Sequence, residues 1–164
     1  MDGDCFGMDH FAAAIDALEA RGKVVSCSAF VPPHRTENAT WRRAAEQQGF
    51  KFVSVPRRVG SKKDPNHIAI SAEAVKLAGE NAVSCIALLV NELDFVYLAD
   101  FLNSMGQRTM LLVPDDRKQT LMSEFKTANA DVVNLALDYR HPTQNAMLLP
   151  GGKVLWSPYQ ATMT

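Results

Sequence analysis

The feature that most constrains this chain is a regular alternation of strand-length and helix-length segments from residue 8 to residue 137. Residues 8–21 place Met8, Phe11, Ala12, Ile15 and Leu18 at helical spacing, and Gly22 follows as a stop. Residues 23–31 are β-branched and apolar up to Pro32-Pro33, which predicts a strand. Residues 38–49 read as a helix closed by Gly49, and residues 50–55 alternate like a strand until Pro56. Asp64-Pro65 is an N-cap and first-turn pair that opens a helix to about Ala78. Residues 82–90 form a continuous apolar run, the pattern of a strand buried on both faces at the centre of a parallel sheet. A helix over 92–106 ending at Gly106, a strand over 108–114, a helix over 117–128 and a strand over 131–137 complete the series. Such alternation with short connections predicts an α/β fold with helices layered on a mostly parallel sheet. Residues 145–156 differ, with two apolar arms around Pro150-Gly151-Gly152. They predict a β-hairpin that adds an edge to the sheet or contacts another chain, the route to a homo-oligomer.

Composition narrows the function classes. A chain of 164 residues with no internal repeat or linker suits one domain, here 1–144 with 145–164 as its tail. A net charge of −1 gives no global attraction to nucleic acid or membrane, so such binding requires a local patch. No apolar run reaches the length of a membrane span, and no basic-then-apolar leader pattern opens the chain. The three cysteines, Cys5, Cys27 and Cys85, stand far apart without a CxxC. This predicts a reducing, cytoplasmic setting with neither disulfide framework nor zinc knuckle. Cys27 and Cys85 lie inside apolar runs and read as core thiols. GxGxxG, Walker, GxSxG and HExxH motifs are absent from the sequence, and the acid spacing fits neither a haloacid-type phosphatase nor a receiver domain.

Ligands of open parallel sheets bind beyond the carboxyl ends of the strands. Acids fall at such positions in separate segments: Asp2 and Asp4 in "MDGD", Asp64 with His67 in "SKKDPNH", and Glu92 and Asp94 in "LLVNELDF". Singly, each reads as a solvated helix cap. Jointly they suit a hard cation such as Mg²⁺ or Mn²⁺, held by carboxylates and waters. Such an ion activates water and neutralises charge on a phosphodiester. Residues 51–63 carry Lys51, Arg57, Arg58, Lys62 and Lys63 and no acid, directly before Asp64. They form either a solvated loop tip or a phosphate-binding patch beside the cleft.

The order "DGDC", helix, acidic helix start, "LLVNELDF" and "LADFLNSMGQRTMLLVP" resembles the NYN family of PIN-like nucleases over about residues 1–114. The resemblance implies a PIN-like, Rossmannoid three-layer fold and a metal-dependent endoribonuclease acting on RNA, with single strands as the expected substrate. It implies that Asp2, Glu92 and Asp94 hold Mg²⁺ or Mn²⁺. Asp64, His67 or Glu73 fills the middle acid position, depending on a shift of a few residues. On the phosphate-binding reading of the loop, Arg57, Arg58, Lys62 and Lys63 are the expected RNA contacts. The pattern departs from the family at Cys5 (usually Asn), at Val90-Asn91 (usually Ser-Gly) and at Glu92 (usually Asp). Only Met1 precedes Asp2 where the family has a buried strand. Either the chain is truncated, or the hairpin at 145–156 supplies a substitute that holds Asp2. Gly3, between the first two acids, reads as the allowance for a tight turn. A catalytically weakened RNA-binding or protein-interaction module is the alternative reading.

Overall fold

The computed structural model describes residues 1–62, 64–114 and 118–135, with the backbone of two further short strands. Its elements follow the alternation. Helix α1 (Met8–Glu19) leads to β1 (Ser28–Val31), a short α2 (Pro33–Thr36) and α3 (Ala39–Gln48). Then come β2 (Lys51–Ser54), α4 (Asn66–Gly79), β3 (Cys85–Leu88), α5 (Phe95–Ser104), β4 (Arg108–Val113), α6 (Gln119–Thr127) and β5 (Asp131–Asn134). Local chemistry sets several boundaries. The Asn38 side chain accepts from the Thr40 and Trp41 N–H groups and starts α3, and Gly49 ends it in the left-handed conformation. Pro32-Pro33, expected only to stop a strand, also seeds α2 with a proline at its first turn.

The strands pair in parallel, β1 with β2 and β3–β4–β5 in that order. Between the two sets lies the start of the chain. Asp2 bridges Phe30 in parallel fashion, Phe30 N–H donates to Met1 O, and Gly3 N–H donates to Phe30 O. On its other side Asp2 N–H donates to Leu89 O at 3.0 Å. Met1–Gly3 is therefore a strand stub joining both halves of the sheet. The spatial order is β2, β1, stub, β3, β4, β5, and the chain runs outward in both directions from the centre. That is the doubly wound arrangement, whose switch point falls between the stub and β3.

Alternation along the strands sorts the core into two layers. Leu111 and Val113 of β4 pack with α4, α5 and α6 through Ile70, Phe95, Leu102 and Phe125. Met110 and Leu112 face the other side, with α1 and α3 through Phe11, Ile15 and Ala45. Trp41 belongs to this second layer, edge-on to Phe11.

Two expected strands are shorter than their apolar runs, because a strand extends only as far as its partner. The run at 23–31 pairs from Ser28, opposite Lys51 just after the α3 stop. The run at 82–90 pairs from Cys85, opposite Arg108 just after the Gly106 turn. Below Met1 the two halves of the sheet part around a groove of about 590 Å³, lined by Cys27, Ser28, Ile70, Glu73, Cys85 and Leu88 among others. Ala146–Leu148 and Val154–Trp156 pair antiparallel in a sheet of their own. Residues 149–153, which would join them, lie outside the described residues, as does any role of the hairpin as a sheet edge.

Candidate active site at the sheet switch point

Asp2 is the most firmly held residue of the site. Its backbone is fixed on both flanks by the bonds to Phe30 and Leu89, so the sheet itself anchors it, while the part expected of the 145–156 segment lies outside the described residues. Gly3 makes this placement possible. A Cβ there would stand 2.2 Å from Val31 Cγ1 and 2.8 Å from Phe30 O. Gly3 thus serves close approach of one backbone to another rather than a tight turn. Arg35 adds a further tie through a hydrogen bond from its guanidinium to Gly3 O.

The Asp2 side chain is fully buried. Oδ1 accepts hydrogen bonds from Asp4 N–H at 3.0 Å and from Asn66 Nδ2 at 3.0 Å. Oδ2 is buried and accepts none. A buried carboxylate oxygen without a partner is costly in an apolar setting and is stabilised by a bound cation. The neighbours supply the rest of a coordination set. One ligand atom each from Asp2, Asp64 and His67 lies within 4.8 Å of the others. Two carboxylates and an imidazole are a competent donor set for a divalent ion.

The start of α4 builds this arrangement. Asp64 Oδ1 accepts Asn66 N–H at 2.9 Å, fixing the carboxylate against the first turn. Asn66 is buried and shares its Nδ2 between Asp2 Oδ1, Asp4 Oδ2 at 3.2 Å and Phe30 O at 3.2 Å. His67 follows, its ring packed edge-on to the buried Phe95 at 4.9 Å between centroids. Sequence reasoning passes over Asn66. The available signal is an amide in the first turn right after Asp-Pro, where a side chain that favours local backbone contacts is otherwise a poor helix residue.

Electrostatics match a site short of positive charge. Asp4 is pushed above the usual carboxylate range, first by burial and next by the neighbouring Asp64. Arg57 opposes that shift: its guanidinium pairs with Asp4 and stands 3.7 Å from Asp64 Oδ1. The Cys5 thiol is pushed up to about 12 by burial and then by the Asp2 carboxylate beside it, with Glu92 and Asp64 adding to the effect. Even so, Asp2 Oδ2 receives no hydrogen bond of proper geometry.

The NYN domain model matches residues 2–136. The chain belongs to the NYN domain family. No curated protein and no solved structure matches it. NYN domains are PIN-like in fold and of nuclease type, they generally bind RNA, and PIN-like nucleases generally use divalent metals. This NYN domain carries its acidic cluster at the carboxyl end of the sheet centre, where the family match begins.

The remaining expected site residues distribute unevenly around that cluster. Glu92 and Asp94 are exposed on the turn between β3 and α5 and do not enter the Asp2–Asp64–His67 group. Their turn nonetheless begins beside Asp2, since Leu89 accepts the Asp2 N–H and Glu92 acts on Cys5. Glu73 lies two turns into α4 and lines the groove below Met1. Of the three candidates for the middle position, Asp64 and His67 are thus the ones gathered beside Asp2. Arg58 and Lys62 are exposed on the loop before Asp64, and Lys63 lies outside the described residues. Among the described residues no helix is long and apolar enough to cross a membrane.

Proposed function

We propose that this NYN domain is a metal-dependent endoribonuclease. The observation that carries the reading is the buried Asp2 carboxylate, whose Oδ2 has no hydrogen-bond partner and stands beside Asp64 at the sheet switch point. A divalent cation bound there, Mg²⁺ or Mn²⁺, supplies an activated water and neutralises phosphodiester charge. Asp2 and Asp64 hold the ion. Asn66 orients Asp2 by engaging Oδ1, which leaves Oδ2 for the metal. Glu92 and Asp94, exposed on the β3–α5 turn that starts beside Asp2, would serve as outer acids, and one of them would take the proton lost by the attacking water. Arg57 balances the acids until substrate arrives, then turns to a phosphate with Arg58, Lys62 and Lys63. The loop would supply phosphate contacts, and single-stranded RNA is the substrate taken for the test.

One observation favours the second reading, a catalytically weakened RNA-binding or interaction module: Glu92 and Asp94 stand outside the close acidic group. Incubation of the chain with labelled single-stranded RNA, with Mn²⁺, with Mg²⁺ and with EDTA, separates the two. Cation-dependent cleavage that EDTA abolishes, and that Asp2→Asn loses, supports the nuclease. Binding without cleavage under every condition supports the module.

A further inference from the structure

We propose that His67 is itself a metal ligand, and that the site selects a first-row transition cation of the Mn²⁺ class over Mg²⁺. This rests on the reading of Asp2 and Asp64 as ion-holding carboxylates and assigns the third position and the class of ion. The argument starts from geometry. Asp64 and His67 are three residues apart across the start of α4, with Asn66 tied to Asp2 between them. Their ligand atoms and that of Asp2 lie within 4.8 Å of one another. Ligands about 2.0–2.2 Å from a shared ion stand roughly 3 to 4.4 Å apart, so modest side-chain rotation closes the set.

The imidazole is ready for that role. Phe95, buried at the start of α5, meets the His67 ring edge-on and restricts its rotation. No hydrogen bond among the described residues uses either ring nitrogen, so none of these residues fixes the tautomer, and the neutral ring has one nitrogen lone pair to offer an ion. The buried, unpartnered Asp2 Oδ2 is the independent sign that a positive ligand belongs between these groups. Mg²⁺ demands oxygen donors, dehydrates reluctantly and gains little from imidazole. First-row transition cations accept imidazole and carboxylate together. One nitrogen among the protein donors therefore shifts preference away from Mg²⁺, whatever the waters that complete the shell.

The test is cation binding to the full chain, read by calorimetry with MnCl₂ and with MgCl₂, for the native sequence, His67→Asn, His67→Asp and Asp2→Asn. Oxygen-only sites also bind Mn²⁺ somewhat more tightly, so the diagnostic quantity is the Mn²⁺/Mg²⁺ affinity ratio. The ratio is expected to fall by about tenfold or more in both His67 variants, with His67→Asp improving Mg²⁺ binding. Pulsed EPR of the Mn²⁺-loaded native chain needs no variant, and it should show a ¹⁴N coupling from the directly bound imidazole. An unchanged ratio in both His67 variants, or no ¹⁴N coupling, overturns the assignment of His67 while Mn²⁺ binding lost in Asp2→Asn leaves the metal site standing. No binding of either cation to the native chain overturns the metal reading as a whole.

Discussion

Asp2 and Glu92 both leave the carboxyl end of the sheet at its centre, one from the Met1–Gly3 stub and the other from the turn after β3. They end in opposite environments. Asp2 is buried, its backbone is bonded on both sides, and Asn66 and the Asp4 N–H fix one of its oxygens. Glu92 and Asp94 are exposed on their turn, and even at the head of α5 the Asp94 side chain caps no N–H. Position at a strand end therefore does not by itself fix a carboxylate. The proposed assignment of Asp2 as an ion ligand rests on a buried polar scaffold that holds one oxygen and leaves the other unmatched, and the Asn66 amide is part of that scaffold.

The largest expected effect tests that contrast directly. Asp2→Asn should abolish Mn²⁺ binding in calorimetry. Asn66→Ala, which removes only the orienting amide, should weaken it by roughly 10–100-fold. Asp94→Asn should leave Mn²⁺ affinity within about threefold, as expected of a group outside the ligand set, while slowing RNA cleavage. Equal losses of Mn²⁺ affinity in Asp2→Asn and Asp94→Asn would erase the difference between the two turns.

The next effect belongs to the stub alone. Burial lowers the Met1 amino group from 8.0 to about 6. This amine donates to Ser28 O at 2.8 Å. The unfolded chain holds that proton up to near pH 8, whereas the folded chain releases it near pH 6. Unfolding thus takes up a proton in this window, and stability is lost as pH falls from about 8 to about 6. At about 1.4 kcal/mol per pKa unit the loss amounts to at most about 3 kcal/mol. Urea melts across this range should show it, and acetylation of the amino group should remove it. A flat profile would mean that the amine is hydrated and the stub loosely held.

Gly3 sharpens the comparison from the packing side. Gly3→Ala puts a Cβ against Val31 and the Phe30 carbonyl, so it should destabilise the fold by about 1–3 kcal/mol and weaken Mn²⁺ binding with it. Glu92→Ala, on the exposed turn, should stay within about 0.5 kcal/mol. Thermal melts of the two variants settle whether the stub or the turn carries the rigidity. The smallest effects concern the basic loop. Arg58→Ala and Lys62→Ala should each reduce the slope of log affinity against log salt for single-stranded RNA by about 0.7, the value for one phosphate left unneutralised. Arg57→Ala should in addition tighten Mn²⁺ binding, because Arg57 competes for Asp4 and Asp64. Identical behaviour of Arg57 and Arg58 would deny the first its place in the acidic cluster.

The sequence by itself determined what periodicity and local capping can encode. The order of helices and strands, the Asn38 and Gly49 limits of α3, the stop at Gly106, the central strand within the apolar run at 82–90 and the family resemblance were all legible, because each depends on residues close together in the chain. So was the grouping of acids at loop positions where a cleft belongs. Only the tertiary structure decided which acids meet. The sheet order puts Met1–Gly3 between β1 and β3, which buries Asp2 and brings it to Asp64 and His67 across more than sixty residues of chain. The same order leaves Glu92 and Asp94 on the rim and sends Glu73 down α4 to the groove. It also turns Asn66 from an unremarked helix residue into the amide that orients the site, since the carboxylates it serves are contributed by a distant segment. Long-range convergence follows from strand order and partner register, and neither is written in any local pattern of residues.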